Sequence, residues 1–205
     1  MLFGAKPARG GVLSGAGSVL ADALLEKTKP VDIPGALRVL LGMTDSDRAA
    51  ELTIFHPALA LAQTLVDVDD PIHYGSFITT APRAGFAPKS IYQTEGIASD
   101  GTGDSYAPPH GIEALAIAMS LPRIAPGTHP ILEAQWANLA DVSLSASGLH
   151  GNLAGGRATG ALAQWTPAAG ADGHFVVFDV PQARAQAATF CKDLAADPVG
   201  RLTPP

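Results

Sequence analysis

Apolar residues recur in two rhythms along this 205-residue chain, and the alternation between them predicts an α/β architecture. Gly11 to Ser14 is a short apolar run between glycines and reads as a strand. Val19, Leu20, Ala23, Leu24 and Leu25 then form a stripe at helical spacing, predicting a helix over Val19 to Lys27 that Pro30 closes. A second helix is expected over Ile33 to Met43, with Pro34 tolerated in its first turn. Ala49 to Val68 is a longer helical stretch, broken at His56-Pro57. From Pro30 to Thr80 the chain has few strand signals, so residues 30–80 read as a helical insertion between strands.

The second half returns to strand chemistry. Lys89 to Thr94 is rich in β-formers and runs into Glu95-Gly96. A loop with Asp100, Gly101, Gly103, Asp104 and Pro108-Pro109 follows, then a helical run over Ile112 to Met119. In the Gly/Ala/Ser-rich region after Ala125, Ile131 to Gln135 and Ala161 to Trp165 are expected strands. His174 to Phe178 is strand-like after the loop Ala168 to Gly173. Val180 to Leu194 is an amphipathic helix, with Ala183, Ala187, Phe190 and Leu194 on its inner face.

Composition narrows the classes. With 47% apolar and 16% charged residues the chain is far from the disordered regime, and 205 residues suffice for one core. A net charge of -6 without a basic run points away from nucleic acid and anionic membranes. No apolar stretch of about 20 residues is present, so no transmembrane helix is expected. The single cysteine, Cys191, leaves no internal disulfide or cysteine metal cluster and is expected to be a small buried hydrophobe.

Two loops concentrate chemistry. One is Glu95-Gly96 through Asp104-Ser105-Tyr106-Ala107-Pro108-Pro109, between a predicted strand and a predicted helix; the other is Asp172-Gly173-His174-Phe175, before the last helix. Loops at the carboxyl ends of parallel strands let residues distant in sequence converge. These pieces, together with Val12-Leu13-Ser14-Gly15-Ala16-Gly17 and His56-Pro57, resemble the bacterial lipase- and esterase-like α/β-hydrolases, in an order that spans Gly11 to Leu194.

The resemblance implies a carboxylic-ester hydrolase acting on an ester or lipid-like small molecule, with Asp104 as the acid and His174 as the base of a Ser-Asp-His triad and no metal or organic cofactor. Asp100 is the rival acid, because residues 98–103 leave the register of this loop open. The family's nucleophile elbow, Gly-x-Ser-x-Gly, does not occur; Ser14, Ser18 and Ser147 all lack its flanking residues. Ser14 keeps the strand-Ser-Gly-helix context and is the weak candidate nucleophile.

The resemblance therefore makes residues 1–205 a single C-terminal hydrolase segment, with residues 30–80 its helical cap. The elbow would be supplied by an N-terminal half, and the chain alone would be inactive and prone to associate. The alternative is a non-catalytic binding domain on a hydrolase scaffold.

Other features read as structural. His56 is expected to cap or pack, and His110 to start a helix. His73 with Asp67, Asp69 and Asp70 could offer oxygen ligands to Ca²⁺, but without EF-hand spacing a solvated acidic loop is expected. Gly15-Ala16-Gly17-Ser18 lacks the third glycine of a dinucleotide fingerprint. Trp136 and Trp165 are expected to be packing residues.

Overall fold

A computed structural model of the chain describes residues 8–43, 45–49 and 51–205. Strand β1 (Gly10–Ser14) leads into five helices, α1 (Leu20–Glu26), α2 (Ile33–Leu40), α3 (Ser46–Ala49), α4 (Pro57–Val66) and α5 (Gly75–Thr79), with a 3₁₀ turn at Pro71–Tyr74. Strand β2 (Ser90–Gly96), helix α6 (Pro109–Ala118), short strand β3 (Ile124–Ala125), helix α7 (Leu132–Trp136) and short strand β4 (Val142–Ser143) follow. Strand β5 (Gly160–Trp165), a 3₁₀ turn at Gly173–Phe175, α8 (Val176–Asp179) and α9 (Pro181–Ala196) complete the chain.

Strands β1, β2 and β5 form a parallel sheet in the order β1-β2-β5, with Val12 beside Tyr92 and Tyr92 beside Ala161. Parallel neighbours require crossovers, and helices lie in both of them; α9, after the last strand, covers the second face. The period of two in each strand sorts the side chains. Ile91 and Leu162 face Ile112 and Leu115 of α6 and Met119 at its C-cap, with Leu13 against the same cluster. Tyr92, Ala161 and Ala163 face Ala187, Phe190 and Leu194 of α9, with Val12 beside them. The architecture is mixed α/β, a parallel sheet flanked by helices. β2 is central and buried along its whole length, whereas no strand pairs with the free edge of β1 among the described residues.

The block between β1 and β2 is helical, as expected from its pattern. It has a small core of its own: Ala21, Met43, Leu52 and Leu59. His56 caps α4, its Nδ1 accepting from the Ala58 N–H at 3.2 Å. Asp70 is not the solvated turn residue expected. It is 5% exposed and accepts from the N–H groups of Val19 and Leu20 at 3.0 and 3.1 Å, capping α1 from 50 residues away. Asp67 meets His73 at 3.4 Å. No helix among the described residues is long and apolar enough to cross a membrane.

Several elements differ from expectation for local reasons. Ile131 to Gln135, expected as a strand, is instead the start of α7, where Leu-Glu-Ala-Gln are all good helix formers. His174 to Phe178 is a 3₁₀ turn running into α8 rather than a strand, because the Asp172 side chain accepts from the His174 N–H and starts a helical turn. α2 stops at Leu40, with Gly42 in the left-handed region at φ 67°. Cys191 is exposed, not buried: it follows Phe190 on α9 and so lies about 100° round the helix from the inner face. Trp136, at the end of α7, is 79% exposed instead of packed. Trp165 does pack, its Nε1–H donating to the Tyr92 hydroxyl at 3.2 Å.

Two carboxyls sit where apolar residues would be expected. Glu95 of β2 is fully buried and Glu113 of α6 nearly so. Burial, reinforced by the neighbouring Glu113, pushes the Glu95 carboxyl up to about 8; burial likewise pushes Glu113 up to about 7. Both folded values lie above the ordinary 4.5, so the folded state holds protons that the unfolded chain releases. Their contribution to stability is complete below the unfolded value and is lost as pH rises through the folded ones. Glu95→Gln should therefore gain stability over the parent, by a few kcal/mol, between about pH 5 and about pH 9. Urea unfolding of both proteins across that range measures it, and a pH-independent difference would contradict it.

Candidate functional site

The carboxyl end of β2 and the 3₁₀ turn at Gly173–Phe175 are joined by backbone contacts that only glycines permit. A Cβ on Gly96 would lie 2.1 Å from the Gly173 carbonyl oxygen, and one on Gly173 would lie 2.3 Å from that of Gly96. Between them the acid loop doubles back. The Ala98 N–H donates to the Thr102 carbonyl at 2.7 Å, and Ile97 bridges antiparallel to Gly103. Residues 98–102 therefore form a closed excursion that returns Asp104 to the end of β2. Asp100 stays within the excursion, accepting from the N–H and hydroxyl of Thr102 at 3.0 and 2.7 Å.

Asp104 and His174 meet there. Asp104 Oδ2 lies 2.9 Å from His174 Nδ1. The Asp104 side chain is fully buried, and the His174 side chain is 30% exposed. The other carboxylate oxygen, Oδ1, accepts from the N–H groups of Tyr106 and Ala107 at 2.8 and 2.7 Å. Burial raises the Asp104 carboxyl above its ordinary value, opposed by those N–H groups and by His174. With every oxygen of Asp104 engaged, the imidazole is held by Nδ1 and leaves Nε2 on the outer side. No described residue hydrogen-bonds to Nε2. Tyr106 stacks on the imidazole with ring centroids 4.9 Å apart, and Phe175 stands edge-on at 5.1 Å.

Gly15, just past the end of β1, closes the inner side. Its φ is +57°, and a Cβ there would fall 2.5 Å from His174 Nδ1 and 2.9 Å from Asp104 Oδ2. Ser14, one residue earlier, is not joined to the pair. Its Oγ is buried and has no hydrogen-bond partner. Ser18 lies elsewhere, its Oγ near the Gly111 carbonyl at 3.4 Å, and the Ser147 hydroxyl meets that of Ser145 at 2.8 Å. The structure thus brings Asp104 and His174 together, and no described serine hydroxyl hydrogen-bonds to either.

Three contributors were given no role by the sequence, although Asp172 and Tyr106 lie in the two loops it singles out. Asp172 has 7% side-chain exposure and accepts at Oδ1 from the N–H groups of His174 and Ser105, both at 3.1 Å, so one carboxylate fixes both loops. Burial works against its charge, but those N–H groups and Lys29 outweigh it and hold the carboxyl below its ordinary value. Lys29 Nζ reaches Asp172 at 3.0 Å, while the N–H groups of Thr28 and Lys29 donate to the Ser105 carbonyl at 3.1 and 3.0 Å, pinning the helical block to the site. Tyr106 is the third. An aspartate two residues before a loop histidine is a legible cap signal; Lys29 carries no local signal at all. Asp172→Ala should cost about 1–2 kcal/mol by orphaning two N–H groups. Thermal unfolding tests this, and a variant within a few tenths of a kcal/mol of the parent would contradict it.

Tyr106 also walls a cavity of about 310 Å³ between the core and the helical block, lined further by Leu20, Ala23, Val66 and Pro71. That volume suits a small, mostly apolar ligand on the far side of Tyr106 from the imidazole it stacks on; neither Asp104 nor His174 lines it. Comparison of the chain with protein-family models, with curated proteins and with solved structures returned no match.

Proposed function

We propose that this chain supplies the acid and the histidine of a serine ester hydrolase, with Asp104 orienting His174 and the nucleophile presented by a further segment along the free edge of β1. The observation that carries the reading is the 2.9 Å contact between a fully buried, doubly N–H-bound carboxylate and Nδ1 of a partly exposed imidazole at the carboxyl ends of parallel strands. A buried carboxylate on Nδ1 sets the tautomer that leaves Nε2 basic and stabilises the imidazolium once formed. His174 would then take the hydroxyl proton as an acyl group transfers to the serine, and return it to the leaving alcohol. The apolar cavity beside Tyr106 is suited to the acyl or alcohol portion of the substrate.

The test is p-nitrophenyl ester hydrolysis by the purified chain and by His174→Ala. The expected result is no turnover in either. Turnover that His174→Ala abolishes would place the nucleophile within these residues and overturn the missing-segment reading. Saturable ligand binding without turnover, even with a nucleophile-bearing segment supplied, would favour a binding domain on the same scaffold.

A second readout is association. Val39, Leu40, Phe55, Leu61, Leu65 and Phe178 are all more than half exposed, and the β1 edge is unpaired among the described residues. The purified chain should elute from a sizing column well above its 20.9 kDa monomer. A clean monomer would contradict that expectation.

A further inference from the structure

A second cavity, of about 740 Å³, opens between α1, α6, α7 and the helical block, and neither Asp104 nor His174 lines it. Its polar wall is acidic: Asp22 and Glu26 from α1, Glu113 from α6 and Glu133 from α7. His110, also on α6, is the one basic side chain on the wall among the described residues, and it is already spent, with Nδ1 2.7 Å from Glu26 Oε1. The Glu26 neighbour lifts His110 to about 9, so this pair is a closed ion pair near neutrality. The remaining carboxyls have no such counter-charge on the wall. Glu113 is 6% exposed, its Oε1 is fully buried without a partner, and no described residue hydrogen-bonds to either of its oxygens. Behind it, Glu95 Oε1 is likewise buried and unpartnered, while its Oε2 accepts from Gln164 at 3.0 Å.

A buried carboxylate without a partner is costly; Glu113 offsets that cost by holding its proton, and a bound cation would take the proton's place. A metal ion does not fit, because no three His, Cys, Asp or Glu side chains among the described residues are grouped to hold one. The rest of the wall is aliphatic, with Leu25, Ile54, Ile72, Ala114 and Ile117. Among the described residues it has no aromatic ring of the kind that recognises quaternary ammonium. The geometry points to a binding site for an aliphatic primary amine in its protonated form, the ammonium donating to Glu113 and the alkyl chain lying along Ile72 and Ile117. This site is independent of the ester-hydrolase reading, and its failure would leave that reading untouched.

Isothermal titration of the purified chain with n-octylammonium chloride tests it, with n-octanol and sodium octanoate as matched probes. The expected result is saturable binding of octylammonium, about tenfold or more weaker binding of octanol, and none of octanoate. Glu113→Gln, which keeps the side chain's shape, should weaken octylammonium by about tenfold or more while leaving octanol unchanged. Ala114→Leu, which narrows the aliphatic wall and leaves every carboxyl in place, should weaken octylammonium and octanol together. Equal binding of octylammonium and octanol, or octylammonium binding that survives Glu113→Gln, would overturn the proposal, since the carboxyl would then recognise nothing and the uptake would be apolar alone.

Discussion

Gly96→Ala should destabilise the chain by about 3 kcal/mol or more and detach the histidine loop from the sheet. The added methyl would sit 2.1 Å from the Gly173 carbonyl oxygen and 2.4 Å from the Gly173 Cα, with backbone rather than a flexible side chain in the way. Gly96 cannot yield, because β2 is the central strand, paired to β1 on one side and β5 on the other. The movement must come from Gly173, and Gly173 is itself wedged, with Asp104 N 2.7 Å from where its own Cβ would be. Pushing the Gly173–Phe175 turn outward therefore strains the Asp104–His174 contact as well as the packing. Urea unfolding gives the stability, and hydrogen exchange at the His174 and Ser105 amides reports the loop. A loss below about 1 kcal/mol with both amides still protected would show that the turn shifts freely, contrary to this account.

This wedge illustrates what the sequence could and could not disclose. The β-forming residues of β2, the run Ala161 to Trp165 and the 3.6 period of α9 are written locally, so those elements were legible, and Ala183, Ala187, Phe190 and Leu194 are all buried as the pattern implies. Asp104 and His174 were legible as residues of the right type in loops after strands or strand-like runs. The reason that Asp104, and not Asp100, meets the imidazole lies in the 98–102 excursion, a matter of backbone hydrogen bonds that composition does not encode. The 3₁₀ turn at His174 was misread because Phe-Val-Val-Phe has strong β propensity, and a cap from Asp172 overrode it. Asp70 shows the same limit from the other side. Its partners, Val19 and Leu20, are some 50 residues away, so nothing near Asp70 in the chain marks it as a buried cap.

Asp104→Asn is the substitution with the largest expected effect on chemistry. The asparagine fits the same space, and its amide oxygen can still accept from the Tyr106 and Ala107 N–H groups, so folding should be nearly unchanged. What changes is the group facing His174 Nδ1. A carboxylate there accepts a hydrogen bond from Nδ1–H; an amide NH₂ donates one instead, which drives the imidazole proton to Nε2. An Nε2 that carries the proton cannot take one from a hydroxyl. Nitrogen-15 NMR of the purified chain should show His174 as the Nδ1–H tautomer in the parent and the Nε2–H tautomer in Asp104→Asn, a readout that needs no nucleophile. In any assembly that hydrolyses esters through His174, the same variant should lower kcat by about 10⁴-fold with little change in KM, the cost expected of a wrong tautomer. An unchanged tautomer would mean that Asp104 does not orient the ring, and the 2.9 Å contact would then be packing without catalytic consequence. A changed tautomer with unchanged turnover would leave the contact intact but move the base of the reaction elsewhere. The two measurements therefore separate the geometry of the pair from the use made of it.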